Sequence, residues 1–446
     1  MKQENIYLQQ YISHFDQFEN LLNGQKSSPL HQLRRKAFDR FLSVGFPDRR
    51  QEEWRFTNIN PLLEAKFQPK FSVSKRKLAV ADIQSFLYND LSATQLVFID
   101  GHLDPQLSRK AGIENKMIIT SLSQISNWQD SDIFSVFMDY ETYNEDVFTA
   151  LNTAFLLDGA VIKVNDNTVI ERPVHLLHIT TDEHPELITY PRNMIFIGKN
   201  SQATIVESYF SMGSNRHFTN AVTEIHVSEN GNINHIRLQN ENTSAFHMGN
   251  VYVDQKAYSH YFSSSVTFGA AISRINISTR LDGQGCEANL NGLYMGHGNQ
   301  LIDNHTFIDH VNPHCNSHES YQGILTDQAH GVFSGKIMVR PDAQKTDAKQ
   351  SNNCLLLSDE AQINSKPMLE IYADDVRCTH GATVGQLNEE AIFYLRSRGI
   401  TEQRAKNLLT YAFAEQVIEG IAIKEVREYV DKILLARLSE DIKFVK

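Results

Sequence analysis

Cys378 and His380 stand one residue apart in the stretch ADDVRCTHGATVG, residues 373–385, directly before Gly381. A thiolate and a neutral imidazole are both metal ligands. In an extended segment residues i and i+2 share a face, so the pair offers a sulfur and a nitrogen to one point in space. Two ligands leave a coordination sphere incomplete, because a tetrahedral zinc or an iron–sulfur cluster takes four protein ligands, or three with one open position. The pair therefore reads as half of a site whose remainder comes from another chain. The competing reading is a small buried hydrophobe, Cys378, beside a satisfied polar neighbour.

The other concentration of ligands is HTFIDHVNPHCNSH, which holds His305, His310, His314, Cys315 and His318; 14 of the 18 histidines lie between His175 and His330. Three imidazoles and a thiolate suit a tetrahedral ion. The stretch has no helical i, i+4 histidine pair and no CxxC, and Pro313 and Asn316 mark it as a loop. Polar ladder residues on a β-surface are the expectation. Asp374 and Asp375 are adjacent, and neighbours in a strand point to opposite faces, which rules out joint acid–base work. HGVFSGKI, residues 330–337, is no phosphate loop: three residues separate Gly331 from Gly335 instead of four, and Lys336 precedes Ile337 where Ser or Thr would hold magnesium. No GxGxxG joins a strand to a helix and no GxSxG elbow occurs. The reading is of a chain that binds no ATP and carries no catalytic residues.

What must position these residues follows from length and pattern. The chain has 446 residues, enough for about three ordinary domains, and a formal net charge of −11. That charge disfavours nucleic acid, which requires a basic face; the one basic knot, SKRKLA at 74–79, reads as a solvated loop. Cys286, Cys315, Cys354 and Cys378 form no regular framework and suit a reducing compartment. No signal peptide and no span of roughly 20 apolar residues is visible, so a cytoplasmic protein off the membrane is expected.

Residues 1 to about 155 read as mixed and mainly helical. In LHQLRRKAFDRFLSVG, Leu30, Leu33, Ala37, Phe38 and Phe41 fall on one helical face before a stop at Gly45, and QLVFIDGHL further on is strand-like. From about 156 the pattern changes to short β-rich runs, among them HLLHIT, NMIFIG, ATIVESYF and INISTRL. Turn residues such as Lys199-Asn200-Ser201 and Glu229-Asn230-Gly231 break them. No long helical run interrupts this region, leaving a sandwich, a barrel or a β-solenoid. Its length favours the solenoid, although no exact repeat is visible. After Gly385 three amphipathic helices are predicted, one starting at Thr401-Glu402 and the last with a stripe of Ile423, Val426, Val430, Ile433 and Leu434. They either dock a partner or cap the β-core.

The continuous stretch SGKIMVRPDAQKTDAKQSNNCLLLSDEAQINSKPMLEIYADDVRCTHGATVGQLNEEAIFYLRSRGI, residues 334–400, resembles the SufB/SufD family of iron–sulfur cluster assembly proteins. Within it KPMLEIYADDVRCTHGATVGQL is similar to the SufD branch, and so is GFPDRRQEEWRFTN at 45–58. The SufB branch has a different ending around a His-Glu-Ala-Thr segment. The resemblance implies a mainly β chain with flanking α-structure. It would comprise an N-terminal mainly helical domain (1–155), a right-handed parallel β-helix core (156–385) and a C-terminal helical domain (386–446). It implies a complex with SufB and two SufC ATPase subunits, in which cluster precursors assemble on SufB and at the SufB–SufD boundary, and SufC docks on residues 386–446.

By position, His380 matches the histidine of the family's Cys-Ser-His-Gly segment, which contributes an interface ligand, and Cys378 matches its cysteine. Thr379 replaces the serine and Arg377 stands where lysine is common. Cys354 departs from the family position before LLLS, and Cys286 and Cys315 match none, so no sulfur chemistry is assigned to them. The implied cargo is iron or a nascent cluster, held transiently and shared with the partner. Reduced flavin binding by the complex and homodimer formation by the isolated chain are left open. The rival from the pattern alone is a β-helix carbohydrate-binding or carbohydrate-active protein, which would present a groove with clustered acids and aromatic platforms.

Overall fold

Asn200 and Asn230, expected as turn residues, both have left-handed backbone, with φ of 52° and 55°. The same conformation recurs coil after coil at Asn167, Tyr258, Gly285, His314 and Lys345. Asparagine and glycine enter this region most readily, and the remaining three are held there by the stack. From Asn200 onward a strand begins two residues after each corner. The corner amides form a ladder: Asn200 N–H donates to the Glu229 carbonyl (3.1 Å), Tyr258 to Gln284 (2.9 Å), Gly285 to Pro313 (3.1 Å) and His314 to Gln344 (2.9 Å). This ladder is the repeat, and it is written in backbone geometry instead of residue identity.

The computed structural model describes residues 4–22, 25–72, 77–88, 91–109, 115–125 and 146–440; residues 74–76 of SKRKLA lie outside them. The strands in chain order are β1 (Gln68–Pro69), β2 (Thr94–Ile99), β3 (His102–Leu103), β4 (Met117–Ser121), β5 (Ala160–Val164), β6 (Val174–Thr180), β7 (Leu187–Thr189), β8 (Arg192–Ile197), β9 (Gln202–Ser211), β10 (His217–Val227), β11 (Asn232–Asn240), β12 (Phe246–Gln255), β13 (His260–Thr267), β14 (Ile272–Leu281), β15 (Glu287–Gly296), β16 (Leu301–His310), β17 (Asn316–Leu325), β18 (His330–Val339), β19 (Asp347–Leu356), β20 (Gln362–Ile371) and β21 (Arg377–Gly385). They alternate between two sheets. Nine strands of the 11-stranded sheet run β20-β18-β16-β14-β12-β10-β8-β5-β4, with β7 joined to β10 and β1 to β7 beside that path, and the 10-stranded sheet runs β21-β19-β17-β15-β13-β11-β9-β6-β2-β3. Pairing along each stack is parallel from β5 and β6 onward. The chain is a mainly β, parallel β-solenoid of about 8 turns with helices at both ends. The strands upstream of the composition change also join it: β2 pairs parallel with β6, and β4 antiparallel with β5.

Side chains alternate between the lumen and the outside. The lumen holds one apolar cluster including Ile205, Ile233, Tyr261, Leu290, Tyr321 and Phe333. A second covers the outer face of the 11-stranded sheet, where Met194, Phe218, Phe246 and Met248 meet the N-terminal helices. Among these, the helix Pro29–Val44 buries Leu33, Ala37, Phe38 and Phe41, as its periodicity predicts. Ser28 caps it, and it stops at Gly45, with φ 67°. The GFPDRRQEEWRFTN stretch is pinned to the same face. The Arg274 guanidinium lies 3.8 Å from the Trp54 ring centroid and donates to Asp303 (2.6 Å), which also accepts from the Thr57 hydroxyl (2.5 Å).

A third cluster seals the outer face of the 10-stranded sheet. The helices Glu402–Ile418 and Lys424–Glu440 lay Ala414, Val417, Ile418, Val426, Val430 and Leu434 over Phe210, Leu238, Val266, Leu293 and Ile324. Thr401 accepts from the Arg404 amide at the start of the first of these helices, as expected. The two longest C-terminal helices thus cap the core. The shorter helix Glu389–Ser397 leaves Phe393 and Tyr394 72% and 58% exposed. No helix among the described residues is long and apolar enough to cross a membrane.

Candidate metal half-site

Cys378 and His380 sit on the last coil. Their register partners on β19 are Ala348 and Gln350, both buried lumen-facing residues, so both candidate ligands project from the lumen side of β21. Among the described residues no further coil stacks on β20 or β21. Val384 is 52% exposed and Ile371 40%, where their counterparts one coil back are buried or half-buried. Cys378 is half-buried against the lumen cluster and His380 is exposed. The i, i+2 geometry expected from the sequence is present at an uncapped end. Burial pushes the Cys378 thiol up, with the Asp347 charge adding to it; a bound cation would reverse that balance.

Half of this coil's backbone polar groups are directed away from β19. Arg377 N–H donates to Thr346 on the β19 side. In a parallel ladder alternate residues bond to opposite neighbours, so the N–H and C=O groups of Cys378, His380, Ala382 and Val384 face away from β19 toward the open end. On β20 the Gln362 N–H donates inward to Ala329, which puts Pro367 at an outward-facing position. There its missing donor costs no ladder bond. One free edge is blunted by proline, and the other, carrying the two candidate ligands, is not.

Beneath the open end runs a polar column that the sequence did not reveal. His380 stacks over Gln350, whose Nε2 donates to Glu319 Oε2 (2.6 Å) one coil deeper. Gln350 has room to cross the lumen because residue 335 is glycine; a Cβ there would lie 2.2 Å from Gln350 Nε2. Burial, opposed by hydrogen bonds from Thr306 and Gln350, pushes Glu319 up to about 7. The folded chain therefore keeps a proton that the unfolded chain releases near the ordinary glutamate value of 4.5. Its contribution makes stability fall as pH rises from about 4.5 to about 7 and level off above, a total of about 3 kcal/mol. Glu319→Gln is expected to match wild type at pH 4 and exceed it at pH 8. The check is the difference between the two chains' urea-unfolding free energies against pH.

Further along the lumen the polarity becomes charge. Glu207 accepts from His235 Nε2 (2.9 Å) and from the Tyr209 hydroxyl; Glu241 accepts from Thr219 Oγ1 (2.5 Å), Gln239 Nε2 (2.9 Å) and His247 Nδ1 (2.6 Å). Arg237 is hydrogen-bonded to His247 and lies 5.0 Å from the Tyr209 ring centroid. Burial pushes Glu207 up, and the His235 hydrogen bond with the His235 and Arg237 charges overrules it, holding the carboxyl well below its usual range. Charged residues inside the β-rich runs, such as Glu207 in ATIVESYF, were the available signal. Such residues in a half-buried strand normally face water, so nothing local marks them as lumen-facing.

The histidine cluster is not the loop that Pro313 and Asn316 suggested. His305 and His310 lie in β16 and His318 in β17; only the corner around His314 is a turn. Alternation sends them apart: His310 is buried and bonded to Ser317 Oγ (2.9 Å), while His305 pairs with Asp303 (2.9 Å) outside the lumen. Among the described residues no group of three or more His, Cys, Asp or Glu could hold a metal ion. Asp374 and Asp375 lie in the bend between β20 and β21 and not in a strand; Asp375 pairs with Lys345. HGVFSGKI is part of β18 and forms no loop.

A groove of about 1120 Å³ runs between residues 44–54 and the outer face of the 11-stranded sheet and is lined by neither Cys378 nor His380. Of the acids that line it, Asp309 pairs with Arg340 (2.8 Å), Asp254 and Asp282 both pair with Lys256 (2.9 and 2.8 Å), and Asp146 accepts from the Thr149 amide and Asn250 Nδ2. Trp54 is covered by Arg274. A carbohydrate-cleaving site would want its acids free and its aromatic faces open.

Known families cover most of the chain. The SufBD protein N-terminal region matches residues 5–176, and the SUF system FeS cluster assembly SufBD core domain matches residues 178–413. The chain is 32% identical over 423 residues to iron–sulfur cluster assembly protein SufD of Escherichia coli, covering 94% of this chain and 93% of that one. It is 33% identical over 415 residues to an iron–sulfur cluster assembly SufBD family protein of Synechocystis, covering 91% of each. Over 422 residues it is 27% identical to Protein ABCI7, chloroplastic, of Arabidopsis thaliana, covering 93% and 87%.

Proposed function

Because the chain belongs to the SufB/SufD family of iron–sulfur cluster assembly proteins and serves the SUF system, we propose that it is a SufD-type scaffold subunit whose open solenoid end pairs with a SufB chain. The observation that carries this reading is the last coil. Two candidate ligands share the lumen face of β21, no coil among the described residues covers them, and the strand's outer N–H and C=O groups are directed away from β19. An unpaired edge strand is a template for another chain. A partner strand laid on β21 would supply the missing bonds and bring its own ligands over Cys378 and His380. Iron or a nascent cluster is then the cargo of a site divided between two chains. Binding draws the proton from Cys378 and uses the neutral imidazole of His380.

The chain supplies ligands and a docking edge, with no catalytic centre of its own, and ATP hydrolysis belongs to a SufC partner. That partner docks on the exposed side of the C-terminal helices, with Phe393 and Tyr394 as its apolar anchors. Nucleotide binding by SufC that favours one arrangement of the helices would shift the pairing of the two solenoid ends. Deleting residues 386–446 would also strip Leu238, Val266 and Leu293 of their cover. Surface substitution is therefore the cleaner probe.

The test is co-purification of the full chain with SufB-type and SufC-type chains. The expected result is a three-component complex from which Phe393→Ala with Tyr394→Ala removes SufC alone. A wild-type chain that elutes apart from the SufB-type chain under all conditions refutes the reading.

A further inference from the structure

Cys286 and Cys315 take no part in the half-site. Each directly follows the left-handed corner of its coil, Gly285 (φ 68°) and His314 (φ 62°), and each directly precedes a strand whose first residues, Glu287 and Asn316, are register partners. The two cysteines are therefore stacked on successive coils in one corner column that continues through Ser259 and Thr346. Paired strands lie roughly 4.8 Å apart, inside the roughly 4.4–6.8 Å between Cα atoms that a disulfide spans. Both thiols donate to one acceptor, the Gly283 carbonyl, at 3.1 and 3.2 Å. They also contact each other, an interaction that lowers the Cys286 pKa and raises that of Cys315. Both are reduced and buried. Cys354 has Gly323 and Val384 as its neighbours, and Cys378 has Ala348, so no other two cysteines are stacked.

We infer that Cys286 and Cys315 form a redox pair that closes a disulfide between adjacent coils when a hydroperoxide reaches the corner. The Cys286 thiolate attacks the peroxide, breaking its O–O bond, gaining one oxygen as a sulfenic acid and releasing water or an alcohol. The Cys315 sulfur then attacks Cys286; the S–S bond forms, the S–O bond breaks, and the oxygen leaves as water with the Cys315 proton. Two thiols lose two electrons in all, and the peroxide takes them. A purely structural pair would behave differently. Thr346, in the same column, bonds its hydroxyl to the Ala343 carbonyl (2.9 Å), and cysteines of that kind would stay reduced while the fold holds.

The experiment treats the folded full-length chain with hydrogen peroxide, alkylates the remaining thiols in denaturant, and maps the peptides by mass. The expected result is a linked Cys286–Cys315 peptide, loss of two of the four thiols restored by dithiothreitol, and a higher thermal midpoint for the oxidised chain. Cys286→Ser and Cys315→Ser, which place in the column a hydroxyl of the kind already at Ser259, should fold and lose both the link and the thermal shift. Finding both residues fully alkylated after peroxide treatment overturns the inference. So does finding Cys286 carried on to the sulfinic acid with Cys315 still a thiol. The outcome does not depend on whether the β21 half-site binds iron.

Discussion

Arg237→Leu is expected to destabilise the folded chain by about 3–5 kcal/mol, the cost of leaving a buried ion cluster without one of its charges. Arg237 is among the largest fully buried side chains, its charge favours the ionised form of Glu207, and Glu207 and Glu241 are themselves buried. Gly249 makes the space, since a Cβ there would lie 2.8 Å from Arg237 Nη2. Leucine fills part of the volume and leaves two carboxylates whose remaining partners are His235, His217 and His247. Salt should change the loss little, because the cluster is out of reach of the ion atmosphere. The urea-unfolding free energies of the two chains decide the matter; a loss under about 1 kcal/mol would mean the cluster is solvated or already neutral.

The second large effect concerns association. Ala382→Pro should leave the isolated chain's stability within about 0.5 kcal/mol of wild type, as for an exposed site away from special features, and weaken pairing with a SufB-type chain by tenfold or more. Ala382 is exposed, and its N–H belongs to the set directed away from β19. Proline there removes an edge donor and places a ring in the path of an incoming strand, the device already present at Pro367 on β20. Thr383→Pro is the contrast. Its N–H points back to β19, so the same ring should disrupt the β19–β21 ladder and lower the stability of the chain itself. Equal effects of the two prolines on folding, or no effect of Ala382→Pro on association, would rule out β21 as the docking edge.

What was legible in the sequence and what was not divides along physical lines. The turns at Asn200 and Asn230 were visible because asparagine is a preferred left-handed residue. The coils at Tyr258, His314 and Lys345 use the same corner without the residue that announces it. That is why the solenoid could be favoured from length yet show no repeat. Amphipathic stripes predicted the helix Pro29–Val44 and the C-terminal helices well, since an apolar face must be buried somewhere. The side each helix covers depends on which sheet face is apolar, and here both outer faces are.

The Cys378/His380 alignment needed only the period of a strand. That the strand is the last one, with an uncovered lumen face, needed the whole stack. His305 and His310 were misplaced for the opposite reason: Pro313 and Asn316 are genuine corner signals, and the corner is only a few residues long. The lumen charges escaped notice because a Glu, His or Arg in a strand is normally outward, and nothing local reveals that this one points inward.

In the proposed half-site His380, beside Cys378, completes a metal site only when a second chain covers the open end. The most direct measurement is iron bound per complex, before and after His380→Ala, with assembly with SufB-type and SufC-type chains confirmed on the same samples. Little iron is expected on either chain alone, stoichiometric iron on the wild-type complex, and severalfold less on an intact His380→Ala complex. Undiminished iron on that intact complex would contradict it.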